Sequence, residues 1–107
     1  MTTDKTFTSK LGSVSNGKRI WIEGARLSAH GFAVGSLIKR KWEADKLTLT
    51  VIDEEKFAAL AAADRSRVSG KAEKPIIDIV GAKVAEVFTG THVNVAYRKH
   101  QITITRA

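Results

Sequence analysis

The sequence predicts a mainly β protein with short helices, built from two βαββ units that share one core. Short runs in which apolar and polar residues alternate recur along the chain, and this period of two is typical of strands. The stretch IEGARL at residues 22–27 is nearly repeated as IVGAKV at residues 79–84. A chain of 107 residues buries one modest core but not two, so both units must contribute to the same core.

The first half reads as an arm, a strand, a short helix and a hairpin. The arm, residues 1–17, is rich in Thr, Ser, Gly and Lys, which predicts a flexible, loosely docked segment. Residues 18–24 alternate as a strand, and the stretch ARLSAHG that follows suits one or two helical turns ended by Gly31 in the left-handed conformation. Residues 36–52 then predict two strands around the turn EAD.

Residues 53–73 separate the two units as a helical connector and a linker. Asp53 can cap a helix whose Ala and Leu residues propagate it to residue 64. The stretch RSRVSGKAEK that follows reads as an exposed linker. We therefore predict a single domain with repeat 1 over residues 18–52, this connector, and repeat 2 over residues 74–107.

The second half repeats the order of the first. Residues 74–80 alternate as a strand, and Pro75 stands at its start, where a missing N–H does least harm. The stretch GAKVAEVF suits a short helix. Residues 91–105 then predict a closing hairpin with RKHQ at its turn.

The two units agree at more than their aliphatic positions. Gly, Ala, a basic residue and an aliphatic residue recur at an offset of 57, Phe at 56, and then Gly, a hydroxyl residue and an aromatic residue at 55. Alternating aliphatics would align in any two β-rich segments, but they do not explain this order. A unit of roughly 32 residues cannot bury enough apolar surface to fold alone. We therefore expect the two copies to swap hairpins and form an intrachain pseudo-dimer barrel.

The order strand, Gly, short helix, GF-x-x-G, strand, turn, strand resembles the AbrB-like swapped-hairpin superfamily, whose members are normally homodimers of such units. Residues 19–51 look most like its SymE-like, toxin-like branch, and residues 75–105 resemble it more weakly. Residues 65–80, with the first unit, are also similar to a region that precedes the catalytic domain of some phage-type cytosine DNA methyltransferases. Both resemblances imply nucleic acid as the partner.

The composition favours a polyanionic partner. The net charge is +7, divided as +5 over residues 1–52 (9 − 4), −1 over residues 53–70 (3 − 4) and +3 over residues 71–107 (6 − 3). An excess of Lys and Arg attracts polyanions through a field that does not depend on sequence. The chain has no cysteine, no run of about 18 apolar residues and no apolar N-terminal stretch, so we expect a cytoplasmic protein, nucleoid-associated if it binds DNA.

Ten basic residues are the candidate nucleic-acid contacts. They are Lys18, Arg19, Arg26, Lys39, Lys41, Lys71, Lys74, Lys83, Arg98 and Lys99. Lys39 and Lys41 share one face of a predicted strand, and Arg98 and Lys99 lie at a hairpin tip. Charged residues at strand edges and turns also prevent aggregation, so an ordinary solvated surface is the alternative for each of them.

The AbrB-like resemblance implies that basic groups around the first strand and its exit loop contact the DNA backbone. By position these are Lys18, Arg19 and Arg26, and Lys83 matches Arg26 in the second unit. The second unit has the residues PI where the first has KR, so the two nearest lysines would have to substitute there.

No catalytic, cofactor or metal motif is recognisable. Residues 12–19 nearly spell a phosphate-binding P-loop, but Arg19 replaces the magnesium-binding hydroxyl and the stretch leads into a strand. His30, His92 and His100 lack metal-like spacing. The sequence therefore predicts a protein that is not an enzyme and holds no cofactor.

The sequence as a whole predicts a small basic nucleic-acid-binding protein, with DNA favoured over RNA. It would act through phosphate contacts, as a transcriptional regulator or a phage or mobile-element accessory factor, and as a monomer or a homodimer. Two alternatives stay open. One is a SymE-like toxin that acts on RNA, and the other is a protein-binding inhibitor or accessory module.

Overall fold

The computed structural model describes residues 5–14, 17–71 and 73–107, which form ten strands and three short α-helices. The strands are β1 (Lys5–Lys10), β2 (Gly12–Val14), β3 (Gly17–Glu23), β4 (Leu37–Trp42), β5 (Lys46–Ile52), β6 (Arg65–Arg67), β7 (Ser69–Lys71), β8 (Lys74–Gly81), β9 (His92–Arg98) and β10 (Gln101–Arg106). The helices are α1 (Ala25–Ala29), α2 (Glu54–Ala59) and α3 (Ala82–Val87), with a 3-10 turn at Ala62–Asp64. The prediction of a mainly β protein with short helices is confirmed.

The strands form two open antiparallel sheets. The larger sheet has the order β1-β9-β10-β5-β4-β6, and the smaller has the order β2-β3-β8-β7. Neither sheet closes on itself in the described part of the chain. The predicted barrel is therefore wrong in this respect, because the outermost strands of each sheet pair on one side only.

Both sheets and the helices bury apolar side chains in one core. The smaller sheet contributes Ile20, Ile22, Ile77 and Ile79, the larger contributes Leu47, Leu49, Ile102 and Ile104, and the helical segments contribute Leu27, Phe32, Val84 and Phe88. Each such side chain stabilises the fold by about 1.5–3 kcal/mol relative to exposure. Since every second residue of a strand points inward, the residues between them point outward and are free to serve function.

The helices α1 and α3 begin at matching glycine corners. Gly24 has φ of 107° and Gly81 has φ of 130°, conformations that residues with a Cβ rarely adopt. This is the structural reason for the shared Gly-Ala in the two sequence echoes. Gly31, with φ of 88°, ends α1 in the left-handed conformation that the sequence predicts.

The predicted arm and linker are paired strands where the structure describes them. In the arm, β1 pairs with β9 and β2 with β3; in the linker, β6 pairs with β4 and β7 with β8. Leu11 and Val68 anchor these segments, since both side chains are buried and their N–H groups donate to Thr91 O at 2.8 Å and Ser36 O at 2.9 Å. The prediction of a loosely docked arm is therefore wrong for residues 5–14, and residues 1–4 and 15–16 of the arm lie outside the described residues.

The connector helix is shorter than predicted. Asp53 caps α2 as expected, because its Oδ1 accepts a hydrogen bond from the Lys56 N–H at 2.9 Å. The helix ends at Ala59 because Leu60 adopts an extended conformation. No residue of α2 is buried, so packing does little to extend it. Among the helices of the described residues, none has the length and apolarity required to span a membrane.

Candidate nucleic-acid interface

The outer face of the larger sheet gathers lysines and threonines on adjacent strands. We call this surface the lysine–threonine face; it comprises Lys39, Lys41, Lys46, Thr48, Thr50 and Thr103. These residues alternate with buried residues of β4, β5 and β10, so the same strand pleat that fills the core sets them side by side. Together with Glu43 and Gln101 they line a shallow depression of about 330 Å³.

Among the described residues, Glu43 is the one acidic residue that lines this depression. Its carboxylate oxygens lie 3.7 Å from Lys41 Nζ and 3.4 Å from Lys46 Nζ. Ion pairs this exposed contribute about 0–1 kcal/mol and are screened by salt, so a phosphate can compete for both lysines. Lys39 has no ion pair in the described residues. The face therefore keeps a positive charge.

The threonine hydroxyls supply hydrogen-bond donors between the cations. Thr48 and Thr103 lie directly opposite each other across β5 and β10. Hydroxyl groups beside lysines are a common means of holding phosphate oxygens, because the lysine supplies charge and the hydroxyl supplies direction. Sequence reasoning found Lys39 and Lys41 but missed Lys46 and the threonines. The signal was present in the stretches LTLT and ITIT, in which Thr alternates with buried aliphatics.

Lys18 lies elsewhere and is engaged by the protein itself. Its Nζ donates hydrogen bonds to three consecutive carbonyls, Phe88 O at 3.2 Å, Thr89 O at 3.2 Å and Gly90 O at 2.6 Å. A cation suits this place because the carbonyls after a helix end carry partial negative charge. The ammonium group thereby ties β3 to the loop that follows α3.

Arg19 lies on the outer face of the smaller sheet. Its Nε is 3.0 Å from Asp78 Oδ1 in an ion pair that lacks hydrogen-bond alignment, and its guanidinium lies 5.2 Å from the Trp21 ring centre. Its charge is thus opposed by a carboxylate on the neighbouring strand, a position less suited to phosphate than that of Lys39.

Arg26 and Lys83 line two different clefts. In the first cleft, of about 280 Å³, the Arg26 guanidinium lies 3.5 Å from the Phe7 ring centre and 5.7 Å from that of Tyr97. Burial raises the pKa of the Tyr97 hydroxyl, and Arg26 partly offsets this through a hydrogen bond and its charge. Lys83 lines the second cleft, of about 290 Å³, together with Trp42.

Lys71 and Lys74 face each other at the end of the β7–β8 pair. They line a cleft of about 450 Å³ with Glu23 and Glu73, so two cations there are balanced by two carboxylates. This end of the smaller sheet carries no excess charge among those residues.

The turn that holds Arg98 and Lys99 is docked against the protein. The residue that follows, His100, has φ of 61°, and its N–H donates to His30 O at 2.7 Å. Its own carbonyl accepts from the Val51 N–H at 3.0 Å. The predicted hairpin tip therefore packs on the end of α1 and on β5.

The described residues contain no group of three or more His, Asp or Glu side chains placed to hold a metal ion. Nothing positive in the arrangement of these side chains points to enzymatic activity. Comparison of the sequence with models of protein families and with curated proteins, and of the fold with solved structures, finds no match. The AbrB-like and SymE-like relationship therefore stays a prediction from the sequence motifs.

Proposed function

We propose that this chain is a non-enzymatic nucleic-acid-binding protein that binds the phosphate backbone through the lysine–threonine face. The observation that carries the proposal is the concentration of three lysines and three threonines around one depression, whose lining among the described residues includes a single acid. Contacts of this kind position a protein on nucleic acid without reading bases. Duplex DNA is the first partner to test, and binding to it would imply a location on the nucleoid.

The strand registers support the swapped-hairpin, two-repeat arrangement as part of this proposal. In the smaller sheet Trp21 lies opposite Asp78, and in the larger sheet Thr48 lies opposite Thr103. These partners differ by 57 and 55 residues, which are the first and last of the three offsets of the sequence repeat. The pairing of β3 with β8 is therefore symmetric about Trp21 and Asp78, and the pairing of β5 with β10 is symmetric about Thr48 and Thr103. The outer pairings also cross over, since β1 docks on the hairpin of the second half and β6 on that of the first.

The proposed interface is lopsided. At the offset of 55, Lys39 and Lys41 align with Asn94 and Ala96 of the second hairpin. The charge of the face therefore comes from the first half, although the face extends across both halves. A one-sided contact surface favours binding with little sequence preference, or to a site that is not palindromic.

The primary test is a titration of a labelled 20-base-pair DNA duplex at 50 and 200 mM salt. If the three lysines neutralise three phosphates, the affinity should fall about 40-fold between these conditions, because the logarithmic slope is about −0.9 per phosphate. The same titration with duplex RNA decides between the two nucleic acids. Absence of binding to either at 50 mM salt would overturn the proposal.

Two matched pairs of charge-reversing substitutions test where the interface lies. Lys39→Glu with Lys41→Glu changes the net charge by the same amount as Lys71→Glu with Lys74→Glu. We expect the first pair to abolish measurable binding and the second to weaken it only slightly through the overall field. Equal losses would mean that net charge alone drives binding, and the lysine–threonine face would then have no special role.

A further inference from the structure

The second cleft, next to the lysine–threonine face but on the opposite side of β4, combines two cations with an aromatic wall. It lies between β4, the 3-10 turn and the corner where β8 meets α3. Its lining includes Arg40, Trp42, Asp64, Val80 and Lys83. Its volume of about 290 Å³ is close to the lower end of the range for small-molecule sites.

Arg40 occupies a position where the fold favours an apolar residue. It points to the inner side of the larger sheet between Ile38 and Trp42, and the residue aligned with it in the second hairpin is Val95, which is 1 % exposed. The one hydrogen bond of its side chain in the described residues runs from Nε to Ser66 Oγ at 2.5 Å. Its terminal nitrogens, with four N–H groups, are therefore left for another partner.

A half-buried guanidinium needs an anion to compensate for lost hydration. Burial lowers the pKa of Arg40, and the charge of Asp64 raises it in part. Asp64 is nevertheless not within ion-pair distance of Arg40 in the described residues. Lys83 adds a second cation to the same cleft, so the lining has two positive charges and one negative charge.

The first cleft shows what covers the matching aromatic residue in the other half. There Phe7 packs on Tyr97 with ring centres 5.7 Å apart, and Arg26 lies over the Phe7 ring. By the strand registers and the sequence offsets, Phe7 corresponds to Asp64 and Tyr97 to Trp42. The second cleft has no aromatic residue at the covering position, so its indole has no counterpart of Phe7 packed on it.

We propose that the second cleft binds a nucleotide, with the phosphate held by Arg40 and Lys83 and the base placed against Trp42. A guanidinium and an ammonium group together match a phosphate monoester, since the first binds two oxygens and the second adds charge. An indole wall accepts the flat face of any base. The site uses none of the residues of the lysine–threonine face and does not depend on its function.

The chain provides its own reporter for this site. It contains two tryptophans, so Trp21→Phe leaves Trp42 as the sole source of indole fluorescence. In this background we would titrate adenosine monophosphate, inorganic phosphate, adenosine and acetate. We expect saturable quenching by the nucleotide, at least tenfold weaker binding of phosphate or adenosine alone, and no response to acetate.

Substitutions in the cleft then test the assignment. Arg40→Met and Lys83→Met should each weaken nucleotide binding at least tenfold, and Asp64→Asn should strengthen it by removing the opposing charge. The control is Arg26→Met, the aligned position in the first cleft, which should leave binding unchanged. Lys39→Glu with Lys41→Glu should weaken it only slightly through the overall field, so failure of the DNA proposal and failure of this one are distinguishable.

Arg40→Met also separates a binding role from a structural one. Because the aligned residue is a buried valine, methionine should be accommodated and thermal stability should be kept or raised. A loss of stability in Arg40→Met, unaltered nucleotide affinity in that variant, or no fluorescence response to nucleotide would each overturn the proposal. An equal response to acetate would identify a general carboxylate site and would equally reject a nucleotide site.

Discussion

The two sheets share one core but present outer faces of opposite character. The larger sheet carries cations and hydroxyls, whereas the smaller sheet exposes Trp21 (40 %) and Val80 (49 %) beside the Arg19–Asp78 ion pair. Glu23 also lies on that face, and Lys71 and Lys74 at its end are balanced by Glu23 and Glu73, so the face has little excess charge. The pleat is the same in both sheets, so the inward residues determine the fold while the outward residues determine the partner.

The largest expected effect comes from disturbing what the two faces share. Ile79 is fully buried and belongs to the smaller sheet, so Ile79→Ala should lower the free energy of unfolding by about 2–5 kcal/mol. Both sheets should lose stability together. Single-tryptophan variants report each sheet in denaturant, Trp21 for the smaller and Trp42 for the larger. Separate transitions for the two tryptophans would contradict a common core.

The second prediction concerns a variant in which both halves of the outer face of the larger sheet carry lysines. Asn94→Lys with Ala96→Lys places cations at the positions aligned with Lys39 and Lys41. If each new lysine meets one phosphate, the ratio of affinities at 50 and 200 mM salt should grow by about 12-fold. An unchanged salt dependence would show that nucleic acid contacts only the first half of the face.

A smaller effect is expected from the threonines. Thr48→Val with Thr103→Val removes two hydroxyls from the centre of the larger face and keeps the shape of both side chains. Each hydrogen bond contributes at least about 0.5 kcal/mol, so the affinity for DNA should fall at least about fivefold while the salt slope stays the same. A change in the slope would indicate that the lysines had moved.

The smallest effect is expected on the opposite face. Asp78→Asn removes the ion pair with Arg19, whose partners are about one-third exposed. Stability should change by less than about 1 kcal/mol, and DNA binding should hardly change. A gain in DNA affinity as large as the loss in Lys39→Glu with Lys41→Glu would place the interface on the smaller sheet.

Much of the local structure could be predicted from sequence because its causes are local. The alternation of apolar and polar residues predicts the hairpin strands, and Asp53 marks the start of α2. Gly24 and Gly81 mark the turns at which α1 and α3 begin. The pairing of β1 with β9 could not be read in the same way, because the partners lie more than 80 residues apart and the arm has only Phe7, Leu11 and Val14 to bury.

The candidate site was predictable only in part. The alternation of β4 placed Lys39 and Lys41 on one face, but placing Lys46 beside them requires the register between β4 and β5, which only the structure gives. The engagement of Lys18 by three loop carbonyls was equally hidden, since a lysine side chain is long and its partner is distant in the chain. The composition gives the net charge, whereas the fold determines on which surface the charged side chains lie.

The crossed docking of the outer strands has a consequence for the covalent chain. Cleavage after Leu60 would leave β1 to β5 in one fragment and β6 to β10 in the other, and four of the eight described strand pairings join the two fragments. Since α2 buries no residue, the connector acts chiefly as a tether that raises the effective concentration of one half near the other. The two fragments produced by such a cleavage should therefore stay associated through those four strand pairings.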